Sequence, residues 1–115
     1  MHELAVTQSI LEIAVRHAEA QNARRITDLF IVMGQWSSTV DDSVQFYWDM
    51  LSEGTLAHGA QLHFKRIPVE LTCQDCGYRY QPTVRELLCP QCSGHRLKVD
   101  HGEEFFLEAI EIDTN

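Results

Sequence analysis

Four cysteines, Cys73, Cys76, Cys89 and Cys92, stand as two Cys-x-x-Cys pairs with twelve residues between Cys76 and Cys89. Two intervening residues let a tight turn aim both sulfurs of a pair at one point, and two such turns supply the four tetrahedral ligands of a closed Zn(II) site. The neighbouring residues suit such turns. Gly77 directly follows the first pair, where a positive φ costs glycine least, Pro90 stiffens the second turn, and Gly94 lies just beyond it. Two disulfides, a dithiol redox pair and a rubredoxin-like iron site are the competing readings. A redox enzyme needs one Cys-x-x-Cys at a helix start, which leaves the second pair without a task, so ligand number and spacing favour zinc.

The first three residues carry a second signal. In Met1-His2-Glu3 the α-amine, the amide nitrogen of His2 and its ring Nδ1 can close two fused, coplanar chelate rings on one metal ion. Square-planar nitrogen ligation suits Ni(II) and Cu(II), whose d-electron preference offsets the deprotonation of an amide; Zn(II) and Mg(II) have no such preference. The Glu3 amide, its carboxylate or an outside ligand would fill the fourth position. A second residue as bulky as His2 leaves Met1, and so its amine, in place. On these three residues alone, a histidine placed second by chance is the commoner explanation. No Ser/His/Asp set, phosphate-binding glycine loop or acid–base carboxylate pair stands out elsewhere.

Charge narrows the partners. Seventeen acidic against nine basic residues give a formal charge of −8, which repels phosphate backbones and argues against a general nucleic-acid binder. The cysteine segment is itself neutral, with Arg79, Arg85, Arg96 and Lys98 offset by Glu70, Asp75, Glu86 and Asp100. The opening residues lack a basic leader region, and no stretch approaches membrane-spanning length. A soluble, reducing, cytoplasmic setting is expected, and there paired cysteines bind metal more often than they form disulfides.

The elements that must hold these groups follow from periodicity. Leu4 to about Gln21 reads as a helix whose core face is Val6, Ile10, Ile13, Ala14 and His17, with Gln8, Glu12, Arg16 and Glu19 opposite. Thr27 to Met33 reads as a buried strand ending at Gly34. Asp41 to Glu53 is helical again, capped from among Ser38, Thr39 and Asp41, with Val44, Tyr47, Trp48 and Leu51 on one face and Gly54 as its stop. Gln61 to Ile67 reads as a second strand, stopped by Pro68. Glu104 to Ile112 has apolar residues on both parities, Phe105, Leu107 and Ala109 against Phe106, Ile110 and Ile112, as a strand covered on both faces would. The expected class is α+β: a small mixed sheet with two helices from residues 1–69 and 101–115, and an inserted zinc-ribbon-like domain from residues 70–100. About 30 residues cannot form a core unaided, so metal must supply that insert's folding energy.

Met1-His2-Glu3-Leu4 opening an amphipathic helix, Gly34 after the first strand, Gly54-Thr55-Leu56 with Gly59 after the second helix, and the paired cysteine turns together resemble the HypA/HybF hydrogenase-maturation nickel chaperones, over essentially the whole chain. The resemblance implies a protein that is not an enzyme. It implies a transported Ni(II) at Met1, His2 and Glu3 and a structural Zn(II) on Cys73, Cys76, Cys89 and Cys92 in a separate small lobe. It further implies work with a HypB-type GTP-hydrolysing partner and delivery to the large subunit of nickel-iron hydrogenase, with urease maturation served by some relatives. No nucleic-acid or membrane partner is expected, and the working unit is a monomer or weak homodimer. The chain departs from the family pattern in two places. Gly34-Gln35-Trp36-Ser37 replaces a common Gly-Ala-Leu-Ser, which suggests an altered surface, and Asp41 and Asp42 stand where many members carry two glutamates. Asp41 and Asp42 either cap the second helix or face the nickel; free amides and the helix dipole favour the cap. His95 and His101 are open as further nickel ligands, His17 is expected to border the core, and His58 and His63 to lie at the surface. The alternative is a zinc-ribbon adaptor that binds protein or nucleic acid without nickel, for which blocking the N-terminus changes nothing. A thiol redox enzyme would show a reversible disulfide and no firmly held metal.

Overall fold

The computed structural model describes residues 3–37, 39, 41–82 and 88–114. In order these form α1 (Glu3–Ala20), β1 (Arg25–Gly34), α2 (Asp41–Leu51), β2 (Gln61–Ile67), β3 (Glu70–Cys73), β4 (Arg79–Tyr80), β5 (Leu97–His101) and β6 (Phe105–Asp113). The class is α+β, as expected from the periodicity. A first, mixed sheet has the order β2-β1-β6, β2 running parallel to β1 and β6 antiparallel; β3, β4 and β5 form a second, antiparallel sheet in the order β4-β3-β5.

α1 buries Thr7, Ile10, Leu11, Ala14 and Ala18. This stripe is rotated from the expected one: Ile13 and His17 are exposed and Val6 is only half-buried. Thr7 is admitted to the core because its hydroxyl donates to the Glu3 carbonyl at 2.6 Å, leaving its methyl to pack. The helix ends in a Schellman turn. Ala23 N–H donates to Ala18 O, Asn22 N–H donates to Glu19 O, and Asn22 takes φ 55°. α2 turns Val44 and Trp48 fully inward, with Tyr47 and Leu51 half-buried beside them. Both helices meet Ile26, Leu29 and Ile31 of the central strand in one apolar cluster.

β6 is not covered on both faces. Its mixed parity comes from a bulge: Phe30 pairs with Ala109 and Ile31 with Leu107, so Glu108 is an extra residue. Phe105 and Leu107 before it, and Ile110 and Ile112 after it, all pack against the core, while Phe106 and Ala109 are exposed. A matching irregularity at Thr27 lets Ile26 and then Leu29 and Ile31 face inward along β1.

The end of β1 ties the two sheets together. Gly34 N–H donates to Glu104 O, Gln35 N–H to Ile67 O and Trp36 N–H to Gly102 O, and Val69 N–H donates to the Gln35 side-chain oxygen. A Cβ on Gly34 would lie 2.1 Å from the Gly102 carbonyl carbon, so only glycine fits at this crossing. Gln35 and Trp36, the residues that depart from the family pattern, sit in this junction, Gln35 exposed and Trp36 half-buried.

Candidate metal centre

β3 delivers Cys73 at its last residue, and the turn after it delivers Cys76; the turn before β5 delivers Cys89 and Cys92. The two turns repeat each other atom for atom. Cys73 N–H donates to Tyr78 O at 2.9 Å and Cys89 N–H to Gly94 O at 2.7 Å, while Gly77 N–H donates to Cys73 O at 2.8 Å and Ser93 N–H to Cys89 O at 2.9 Å. The residue after each pair must therefore turn left-handed, and Gly77 does so at φ 80° and Ser93 at φ 62°. Gly94 serves otherwise: a Cβ there would lie 2.4 Å from Asp75 Oδ2 and 3.2 Å from Cys92 Sγ. The Asp75 carboxylate in turn accepts from Arg96 Nε at 2.8 Å, and Gln74 N–H donates to Arg96 O, which fastens one turn to the other.

All four sulfurs lie within 4.8 Å of one another. Cys73 Sγ is 3.6 Å from Cys92 Sγ, and Cys76 Sγ 3.7 Å from Cys89 Sγ. Bonded sulfurs would be about 2.05 Å apart, which rules out a disulfide at either contact, and the four thiols are free. Four sulfurs at about 2.3 Å from one central ion would stand about 3.8 Å apart in a tetrahedron. The thiolates are also stabilised by the backbone, Gln91 N–H donating to Cys89 Sγ and Gly94 N–H to Cys92 Sγ. Bonding from the Cys76 amide draws the Cys73 thiol down to about 7. At Cys92 the Gly94 amide lowers the value, but the neighbouring sulfurs of Cys73 and Cys76, with burial, push it up to about 12. Four sulfurs this close cannot all ionise alone; a central dication would remove that conflict, so the donor set fits Zn(II).

The other expected residues lie elsewhere. Met1 and His2 fall outside the described residues, and Glu3 opens α1, its carbonyl held by Thr7. Asp41 accepts from the Asp42 amide and from Arg66 at 2.7 Å, so it anchors the start of α2 to β2. His101 Nδ1 lies 3.1 Å from Glu104, whose other oxygen accepts from Gly102 N–H; His95, His17 and His58 are exposed. His63 is half-buried, stacked on Phe30 and 2.8 Å from Asp28. Sequence reasoning missed Ser93, Asp75 and Arg96. The repeated position after each cysteine pair was the available signal for Ser93; the ion pair, spanning 21 residues, gave none.

The family model described as "Hydrogenase/urease nickel incorporation, metallochaperone, hypA" matches residues 1–112. The chain belongs to the HypA family. The hydrogenase maturation factor HypA of Dehalococcoides mccartyi (strain ATCC BAA-2266 / KCTC 15142 / 195) is 43% identical over 113 residues, spanning 98% of this chain and 95% of that protein. HybF of Escherichia coli K12 is 34% identical over 98% of this chain and 100% of its own length. The solution structure of the Ni metallochaperone HypA from Helicobacter pylori shares the fold, with a TM-score of 0.70 at 23% identity over all of both chains. HypA-family proteins are metallochaperones of hydrogenase maturation and are not enzymes, so neither the redox reading nor the plain adaptor reading of the cysteines stands.

Proposed function

We propose that this chain holds Ni(II) at Met1, His2 and Glu3 and hands it to the large subunit of nickel-iron hydrogenase, working with a HypB-type GTPase in the cytoplasm. In this reading Zn(II) on Cys73, Cys76, Cys89 and Cys92 organises residues 70–100 as a domain inserted between residues 1–69 and 101–115. The observation that carries it is the span of the family match, which begins at Met1 and so takes in the Met-His-Glu opening along with both cysteine pairs. An adaptor would need only the cysteine segment.

The chemistry follows from where Glu3 stands. The first turn of α1 presents free amides and the positive end of the helix dipole, which disfavours a bare cation. A ligand set that includes an ionised His2 amide and a negative group from Glu3 makes the Ni(II) complex neutral and removes that conflict. The bond from Thr7 to the Glu3 carbonyl stiffens the backbone directly behind the chelate. Release follows from protonation, since an imidazole near pH 6.5 and an α-amine near 7.7–8.0, as approximate reference values, compete with metal as pH falls. Nickel titration of the untagged protein, of His2→Ala and of a version extended at its N-terminus tests this. The two altered chains are expected to lose more than the roughly 10–100-fold that loss of an outer-shell partner costs a metal site. Equal affinity in all three would overturn the assignment.

A further inference from the structure

β6 is an edge strand. β1 pairs with one side of it, and among the described residues no strand pairs with the other. A nine-residue edge leaves a row of backbone donors and acceptors open to a further strand. Beside it, between β6 and α1, runs an open groove of about 520 Å³ walled by Val6, Ile10, Ile13, Phe105 and Leu107, with Phe106 at its rim. Ile13 is 37% and Phe106 47% exposed. Open main chain and apolar groove thus lie side by side, which suits an extended segment better than a helix. Its backbone would extend the ladder, and every second side chain would enter the groove.

Charge selects the occupant. The bulged Glu108 and Glu111 are exposed along the same strand. A second β6 laid antiparallel in a register that sets Glu108 opposite Glu111 would bring like charges together, and two chains of charge −8 repel at longer range in any register. We propose that the outer edge of β6 and the groove it shares with α1 receive, as a fourth strand, an extended segment of a partner protein in which β-branched apolar residues alternate with lysine or arginine. The groove follows the N-terminal half of α1, so the bound segment would run beside the first turn of that helix. Docking itself needs no nickel.

A short synthetic peptide alternating valine with lysine, capped at both ends, tests this with the full chain. Amide hydrogen exchange should slow along β6, and NMR shifts should move at Val6 to Ile13 of α1. Ile13→Arg, at a site already partly open, should weaken binding at least about tenfold. Glu111→Lys, which leaves the groove untouched, should weaken it severalfold and remove most of its salt dependence. Thermal unfolding of both variants checks that they fold. Peptides with glutamate in place of lysine, or N-methylated at alternate amides, should not bind. His2→Ala should bind the peptide as the parent does, which keeps failure of the nickel reading separate from failure of this one. Absence of slowing along β6, slowing along β2 instead, or equal binding by Ile13→Arg and Glu111→Lys would overturn the proposal. Self-association that protects β6 without peptide would overturn it in favour of a second copy.

Discussion

Ser93 takes the left-handed turn that Gly77 takes in the companion loop, at φ 62°. That conformation costs an L-residue about 1–2 kcal/mol. Ser93→Gly should therefore stabilise the metal-loaded protein by about 1 kcal/mol, seen as a higher melting temperature; an unchanged or lower value would mean that the serine side chain offsets its backbone strain. Carboxylates give a second test at this scale. Burial raises the Glu104 carboxyl, but the amides of Glu104 and Gly102 and the His101 ring outweigh it and hold the group below its ordinary 4.5. The His63 ring holds Asp28 below its ordinary 3.8, and the Thr72 hydroxyl does the same for Asp100. A carboxyl lowered in the fold adds stability above its unfolded value and loses it as pH falls through the folded one. Stability should thus fall below about pH 4.5, and Glu104→Gln should flatten the upper part of that fall in urea midpoints taken across acid pH. Parallel curves for the two proteins would remove Glu104 from the linkage. At this scale the clustering of the four cysteines was legible, because a doubled Cys-x-x-Cys needs no tertiary knowledge. Asp75, Arg96 and the steric role of Gly94 were not, because each depends on how closely one cysteine turn approaches the other.

The helices and long strands of the first sheet were legible from periodicity, and each failure has its own physical cause. On α1 hydropathy undervalued Thr7 and Ala18, a threonine whose hydroxyl is satisfied locally and a residue too small to score, and Leu11 was left off the expected face, so the buried stripe is rotated from it. On β6, a strict period of two made apolar residues on both parities look like double coverage, whereas one extra residue, Glu108, switches the parity. Deleting Glu108 should restore an unbroken alternation that turns either Phe105 and Leu107 or Ile110 and Ile112 away from the core. The expected loss is about 2 kcal/mol or more, read from chemical denaturation; a deletion variant of parental stability would show that the bulge is incidental. β3, β4 and β5 were not anticipated, although Leu71 and Cys73 alternate with Glu70 and Thr72, and Leu97 and Val99 with Lys98 and Asp100. Strands of two to five residues give a weak periodic signal.

Across the whole molecule, which extends 58 × 26 × 17 Å, the two sheets differ in what holds them. The apolar cluster under α1 and α2 draws on the first sheet, whereas the fully buried residues around the second are Val69, Leu71, Cys73 and Cys89. Cys89→Ser should therefore abolish metal binding at the four-cysteine site and melt the β4-β3-β5 sheet, lost as near-ultraviolet signal from the stacked Tyr78 and Tyr80, while the fluorescence of buried Trp48 persists. Loss of both signals together would show that the sheets fold as one unit. The crossing at Gly34 carries a broader consequence. Outgoing and returning chain pass there within touching distance, Val69 Cα lying 2.8 Å from where a Cβ of Gly102 would stand. A short turn spliced from Pro68 to Glu103 should thus yield a stand-alone miniature that keeps its helices and three strands, and a different thiolate module should be graftable at the same seam, as a detachable head on a common body.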